Sequence, residues 1–441
     1  MEFRGGKYKK KSYKSDFKSE FRSKLVDNNV EEISETKKEK HQTFIRRVPS
    51  TFLDEDDFKL DCPNYPFVPT ILPAVDRIIV IGDIHGDLDL AIRSFKLANL
   101  IDDNYNWIAD PSNTVVIQVG DQVDSCRPIP GVNDCHNQPQ ESDKAEDMAV
   151  IDFFNRMHKL ASNVGGAVYS LLGNHELMNA DNDFRYVSHA NYYEFNYEID
   201  NHRYVGSSGR RNAFKPGGSV AKMLACTRNS VMIIGSNMFV HAGVLPILID
   251  RITDVDFDSR TKLTYLNAIV RKWLLKQMSE LEPNDISNKK LFINDTTLSP
   301  FWTRIYGQIK PGSNAVDNFE CENSVGKALK VFKIGKIVVG HTPQLLVHGV
   351  GINGTCYEKD AGGNLWRVDG GFSKAFGVFG SQNIIEVLEI LNDKEFIVHK
   401  ETTTKYTESK LEKVITEPYI EEIKEQYSQG RIKYKHKKKK N

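Results

Sequence analysis

Along the chain, short apolar runs rich in β-branched residues alternate with stretches whose apolar positions recur every three or four residues. The runs RIIVI (77–81), TVVIQV (114–119), AVYSLL (167–172), MFVHA (238–242) and KIVVG (336–340) read as buried strands. Between the first two, Asp87 to Ala98 places Leu88, Ala91, Ile92 and Phe95 at helical spacing, and Lys144 to Leu160 repeats that pattern. Strands alternating with helices predict an α/β fold whose parallel strands are reached through crossover helices. Residues 176–225 and 245–290 read as helical insertions. Further on, VHGVGINGTCYEK carries an Asn-Gly step that signals a hairpin turn, and NLWRV, NIIEVLEI and EFIVHK continue in β, so a second, mixed sheet is expected.

The ends of the chain have a different pattern. Residues 1–50 are rich in Lys, Ser and Glu and read as a disordered basic tail, because they cannot bury enough apolar surface to offset ordering. CPNYPFVPTILPAVD has four prolines and suits an extended arm, with the folded core starting near Pro73 inside a catalytic domain spanning 60–405. Residues 406–441 read as a helical stretch and a polybasic tail ending RIKYKHKKKKN. The formal net charge of zero conceals an acidic body, 38 basic against 51 acidic side chains over residues 51–430, between basic ends. Such ends suit nucleic acid or an anionic membrane, although a Lys-rich end is more often only a solvated tail. No apolar stretch reaches the ~20 residues of a membrane span, and the expected address is intracellular, cytoplasmic or nuclear. The six cysteines form no CxxC pair and read as reduced thiols, with Cys126, Cys135 and His136 as a weak metal-binding alternative.

The residues just past the strands carry the chemistry. Gly82-Asp83, Gly120-Asp121, Gly173-Asn174 and Gly340-His341 end four strands, and His241 sits at the end of a fifth. One such pair is usually a turn with Asp capping a helix. Five at successive strand ends converge on one edge of an open α/β sheet, where ligands bind. In "DIH", extended residues two apart share a face, so Asp83 and His85 would reach one ion while Ile84 turns into the core. Asn174, His241 and His341 supply neutral donors suited to Mn²⁺, Fe or Zn²⁺, and Asp121 is the natural bridge between two ions. His175, next to Asn174, is the candidate general acid, Asp124 the group that holds its imidazole, and Glu176 a closer of the GNHE turn. GVGING (349–354) fits a dinucleotide fingerprint by letters only, since it opens a hairpin and not a helix.

GDIHGD, GDQVD and GNHE, with FVHAG and VVGHTPQ after them, resemble the phosphoprotein phosphatase family of the calcineurin-like metallophosphoesterases over roughly residues 75–385. SPFWTRIYG and RVDGGFSKAFG look most like its Shewanella-like protein phosphatase branch. The resemblance implies two mixed β-sheets packed as a sandwich flanked by helices, and a phosphomonoesterase using two divalent or transition-metal ions. It implies the ligands Asp83, His85, Asp121, Asn174, His241 and His341, with His175 as proton donor and Asp124 as its partner. Its expected substrate is phosphoserine, phosphothreonine or phosphotyrosine in a protein or peptide. The alternatives are an ApaH-like hydrolase of dinucleoside polyphosphates or RNA caps, and a catalytically dead binding module, which the intact ligand set argues against. One departure stands out: GDQVDSCRP places Ser125 where the family has a phosphate-binding arginine. Arg304 matches the family's second phosphate clamp and Arg127 is the nearest replacement for the first, with Arg210 and Arg211 as rivals. Arg127 holding only its own loop, and Arg304 pairing with a core carboxylate, are the structural alternatives.

Overall fold

The computed structural model describes residues 55–402 apart from 130, 139–142, 200–201, 253–255, 278–282, 359–361 and 380–383. The expected N-terminal tail and the C-terminal helical and polybasic stretch lie outside the described residues. The described residues hold fourteen strands: β1 (Ile71–Leu72), β2 (Arg77–Ile81), β3 (Val115–Gln118), β4 (Ala167–Leu171), β5 (Tyr197–Ile199), β6 (His202–Tyr204), β7 (Arg228–Asn229), β8 (Val231–Ile234), β9 (Asn237–Val240), β10 (Lys336–Val339), β11 (Asn353–Glu358), β12 (Gly362–Arg367), β13 (Ile384–Leu391) and β14 (Glu395–Thr402). They form two mixed six-stranded sheets, in the orders β14-β13-β2-β3-β4-β7 and β1-β8-β9-β10-β12-β11, and a separate β5-β6 hairpin. Strands β2, β3 and β4 run parallel in the first sheet, and β9, β10 and β12 in the second.

Side-chain alternation explains why both faces of the second sheet are covered. Met232, Ile234, Phe239 and Val338 share a core with Ile78–Ile81 and Val387 of the first sheet. Their neighbours Val231, Ile233, Met238, Val240, Ile337 and Val339 face the other way, onto Leu224, Leu263, Leu266 and Ile269 of the helices Ser219–Thr227 and Ser259–Leu274. Each such side chain contributes about 1.5–3 kcal/mol when fully buried. The first sheet is covered by Leu88–Leu97 and Asp147–Ser162, the helices read from the sequence. The insertion after β4 is helical as expected but also carries the β5-β6 hairpin.

Three expectations are corrected. Ordered structure starts before Pro73: the helix Glu55–Asp61 and the proline-rich arm are fastened by the Cys62–Cys226 disulfide and by β1 pairing with β8. Asn353-Gly354 lies inside β11, not at the turn, because the hairpin partner is β12 and Asn353 pairs with Arg367. The cysteines are not reduced. Cys62–Cys226, Cys126–Cys135 and Cys321–Cys356 are disulfides, which also removes the metal-binding alternative for the second pair. Their separations of 164, 9 and 35 residues leave no spacing signature in the sequence. Among the described residues, no helix is long and apolar enough to cross a membrane.

The pairing makes a direct prediction. Unfolded in guanidinium without reductant, the chain should show no thiol reactive toward Ellman's reagent. Replacing Cys62 and Cys226 together by Ser should cost about 2–5 kcal/mol of stability, because the closed loop is long. Six reactive thiols in freshly prepared, unreduced protein would refute the pairing.

Candidate active site

The polar ends of β2, β3 and β4 meet those of β9 and β10 at one edge. The loop after β2 is tied to the loop after β3, with Ile84 and His85 donating N–H to Asp121 O at 3.0 and 2.9 Å and Gly86 donating to Gln122 O at 2.8 Å. His85 is not placed by strand alternation, as the "DIH" spacing suggested. The backbone turns there with φ at 49°, and Asp121, Asp124 and His341 are also left-handed, at 56°, 73° and 66°. Gly173 permits a further close approach, since a Cβ on it would stand 2.1 Å from Asp121 Oδ1. Glu176, read as a turn-closing residue, accepts N–H bonds from Gly173, Asp121, Gln122 and Val123.

Backbone carbonyls orient the histidines. The ring nitrogens His85 Nδ1, His241 Nδ1 and His341 Nε2 face Val123 O (3.3 Å), Val119 O (2.9 Å) and Trp302 O (3.1 Å). Donation there turns His85 Nε2, His241 Nε2 and His341 Nδ1 toward Asp121. Asp121 Oδ2 stands 3.2 Å from His241 Nε2 and 3.9 Å from both His85 Nε2 and His175 Nε2. Asn174 Oδ1 lies 3.0 Å from His241 Nε2, and Asp83 accepts the His341 N–H. Two buried trios, His85-Asp121-His175 and Asp121-His241-His341, are each compact enough for one ion and share Asp121. The structure thus brings all six candidate ligands to one edge, and places His175 there as well.

The electrostatics fit a cationic occupant. Burial, with Arg127 and His175 nearby, holds His85 well below the usual imidazole range; burial, with His241 and Arg304, does the same to His341. Neutral imidazoles present lone pairs to a metal. Burial alone would raise Asp121, yet His241 and His175 hold it well below the carboxylate range. Asp83 is pushed well above that range by burial and by Asp369 and Asp121. Such crowding of buried acceptors is relieved by cations.

His175 Nδ1 is bound to Asp124 Oδ2 at 2.8 Å. The other Asp124 oxygen accepts from Asn179 (2.9 Å) and from Arg210 (3.2 Å). Arg210 is fully buried and also donates to Asp147 Oδ2, Asn179 Oδ1 and Asn191 O, so it is a core partner of Asp124 and not a rival for phosphate. Arg211 donates to Asn182 Oδ1 instead. Ser125 Oγ accepts from Asn191 Nδ2 and so joins the same network. Arg127 is half-buried. Its Nη1 donates to Asp124 O and Cys126 O, its Nη2 lies 2.8 Å from His85 Nε2, and its guanidinium sits over the rings of Phe376 and Tyr186. It therefore holds its loop and also faces the site. Arg304 is exposed and donates to His341 O at 3.1 Å, with no core carboxylate among its hydrogen bonds. Sequence reasoning named Arg210 only as a rival phosphate clamp, and it missed Asn179 and Asp147. Asp147 opens a helix and reads as a first-turn acid, and nothing in SSGRRNAF marks one arginine of the pair as buried.

A family model described as calcineurin-like phosphoesterase matches residues 76–345. The chain belongs to the calcineurin-like phosphoesterase family. As a member it is a hydrolase, and the family implies divalent metal ions at a donor set such as this one. An uncharacterized protein of Acanthamoeba polyphaga mimivirus is 56% identical over 245 residues, 55% of this chain and 96% of its own length. Shewanella-like protein phosphatase 2 of Arabidopsis thaliana is 25% identical over 382 residues, covering 78% of this phosphoesterase and 83% of the plant protein. A solved cold-active protein tyrosine phosphatase shares the fold, with a TM-score of 0.53 at 21% identity over 77% of this chain and 82% of its own.

The phosphoesterase's buried network can be tested by stability. Arg210→Gln leaves Asp124 and Asp147 buried without their counter-charge and should cost about 3–5 kcal/mol in urea unfolding. A loss under about 1 kcal/mol would mean that the guanidinium does not balance these carboxylates.

Proposed function

We propose that the chain is a metal-dependent protein phosphatase that hydrolyses phosphoserine, phosphothreonine or phosphotyrosine. One observation carries this reading: two buried donor trios share the Asp121 carboxylate, and His175 of the first trio has its Nδ1 held 2.8 Å from Asp124 Oδ2. The Shewanella-like protein phosphatase among the relatives supports the substrate class.

Asp83, His85 and Asp121 would hold one ion, and Asp121, Asn174, His241 and His341 the other, with Mn²⁺, Fe or Zn²⁺ matching the donors. Two such ions, when bound, supply charge to the phosphoryl oxygens and lower the pKa of a water for in-line attack. His175 does not serve as a ligand in this reading. Asp124 holds its Nδ1–H, which leaves Nε2 to hand a proton to the departing oxygen. Arg304 and Arg127 grip the remaining phosphoryl oxygens, as guanidinium groups do best.

A substrate panel tests the reading: with Mn²⁺ present, phosphopeptides should turn over, and capped RNA and dinucleoside tetraphosphate should not. Turnover confined to the nucleotides would replace it. His175→Asn should lower kcat by ~10² to 10⁴ with metal content unchanged, and less for an aryl phosphate with a good leaving group. Loss of bound metal would make His175 a ligand. Arg304→Ala should lower kcat/KM at least about tenfold and Arg127→Ala by a smaller amount, each with weaker inhibition by phosphate. Unchanged phosphate affinity in both variants would leave the two arginines without that role.

A further inference from the structure

The segment RVDGGFSKAFG brings one residue to the site that the two-ion mechanism does not use. β12 runs parallel to β10 with Val339 opposite Arg367, so Asp369 lies beyond the end of β12 as His341 lies beyond the end of β10. The chain there packs onto the end of β2. A Cβ at Gly82 would stand 2.2 Å from Val368 O and 3.2 Å from Asp369 Cα, so a glycine is needed for this approach.

Asp369 is 2% exposed. Its Oδ1 accepts the Gly371 N–H at 2.9 Å and closes a tight turn, while its buried Oδ2 has no hydrogen-bond partner. The charged groups close enough to act on it include Asp121, His241, Arg127 and Asp83. Asp83 and Asp121 are themselves acceptors. Arg127 gives Nη1 to two backbone carbonyls and turns Nη2 to His85, and His241 is directed at Val119 O, Asn174 and Asp121. A carboxylate oxygen buried beside two other carboxylates is costly unless a cation balances it.

We propose that Asp369 is a further carboxylate of the metal centre, its Oδ2 and its charge serving the divalent ion held at Asp83 and Asp121. This rests on the metal-dependent reading and extends it to a residue outside the six ligands. Carboxylates next to metal ligands tighten binding by orienting the ligands or the water that an ion carries. The turn bond to Gly371 occupies one oxygen only, which leaves the other for that task.

Asp369→Asn isolates the charge, because Asn keeps the Oδ1 acceptor for Gly371 and nearly the same volume. With metal-stripped full-length protein, Mn²⁺ binding by calorimetry should weaken about 10- to 100-fold. The metal-free variant should melt at or above the wild-type temperature, since one of three clustered carboxylates has lost its charge, and its Mn²⁺-induced rise in Tm should shrink. Asp369→Ala, which removes the turn acceptor as well, should weaken Mn²⁺ binding at least as much and also lower the metal-free Tm. Wild-type Mn²⁺ affinity in Asp369→Asn, with only Asp369→Ala impaired, would reduce the residue to its turn and overturn the proposal. Wild-type protein that takes up no Mn²⁺ would instead sink the metal-dependent reading, and this inference with it.

Discussion

The Glu176 carboxylate accepts four backbone N–H groups, from Gly173 at 2.7 Å, Asp121 at 3.1 Å, Gln122 at 2.7 Å and Val123 at 3.3 Å. These donors belong to the loops after β3 and β4, and no strand partner is available to them so close to the sheet edge. Buried N–H groups must be satisfied, and this one carboxyl serves four of them, even though burial and the neighbouring Asp121 raise its pKa. One side chain therefore fixes the distance between the loop bearing Asp121 and the turn bearing Asn174 and His175. The left-handed backbones at His85, Asp121, Asp124 and His341 cost about 1–3 kcal/mol each and persist only where surrounding contacts over-determine them. Glu176 supplies that constraint for the Asp121 loop, and the bonds of Ile84 and His85 to Asp121 O pass it on to the loop after β2.

Orientation by the backbone extends to the imidazoles. Each of His85, His241 and His341 has one nitrogen against a main-chain carbonyl, so its other nitrogen is set by secondary structure and not by rotamer choice. His241 takes its carbonyl from Val119, the residue just beyond β3 of the opposite sheet, which couples the registers of the two sheets at the site. The cost is electrostatic. Asp83, Asp121 and Asp369 crowd a buried volume in which burial and mutual repulsion raise Asp83 and Asp369, the latter to about 6. A site that is poorly balanced alone is prepared for cations.

The repeating unit of this fold, an apolar run ending in Gly and a polar residue, is visible in the sequence because strand burial and metal-type donors each leave a local pattern. Strands β2, β3, β4, β9 and β10 and the helices Leu88–Leu97 and Asp147–Ser162 could accordingly be read within a residue or two at most ends. Long-range pairings could not. The disulfides join cysteines with no shared spacing, Arg210 reaches Asp124 from 86 positions away, and Asp369 lies near Asp83 only because β12 pairs with β10 in the second sheet. The "DIH" argument placed His85 near Asp83, and its Nε2 does stand 3.9 Å from Asp83 Oδ2, but not by the geometry expected. His85 comes toward Asp83 and Asp121 through a left-handed turn, and period-2 logic ends where the strand does.

Ser125, where the resemblance implies an arginine, and Arg127 make contacts of different kinds. Ser125 accepts from Asn191, whose Nδ2 also reaches Asp147 Oδ1, so the short side chain is drawn into the network behind Asp124. Arg127, two positions on, faces His85 from farther round the loop. Arg127 has Nη1 tied to two carbonyls and its guanidinium carbon 4.5 Å from the ring centroid of Phe376, while the Cys126–Cys135 bond closes the loop beside it. A guanidinium restrained in this way has little rotamer freedom left to lose, whereas Arg304 is exposed. The restraint also has a chemical consequence: with Nη1 committed, only Nη2 and Nε remain to offer, and Nη2 already faces His85. In the proposed reading, an anion gripped by Arg127 would therefore lie on the His85 side of Asp121, across from the end at which Arg304 binds His341 O.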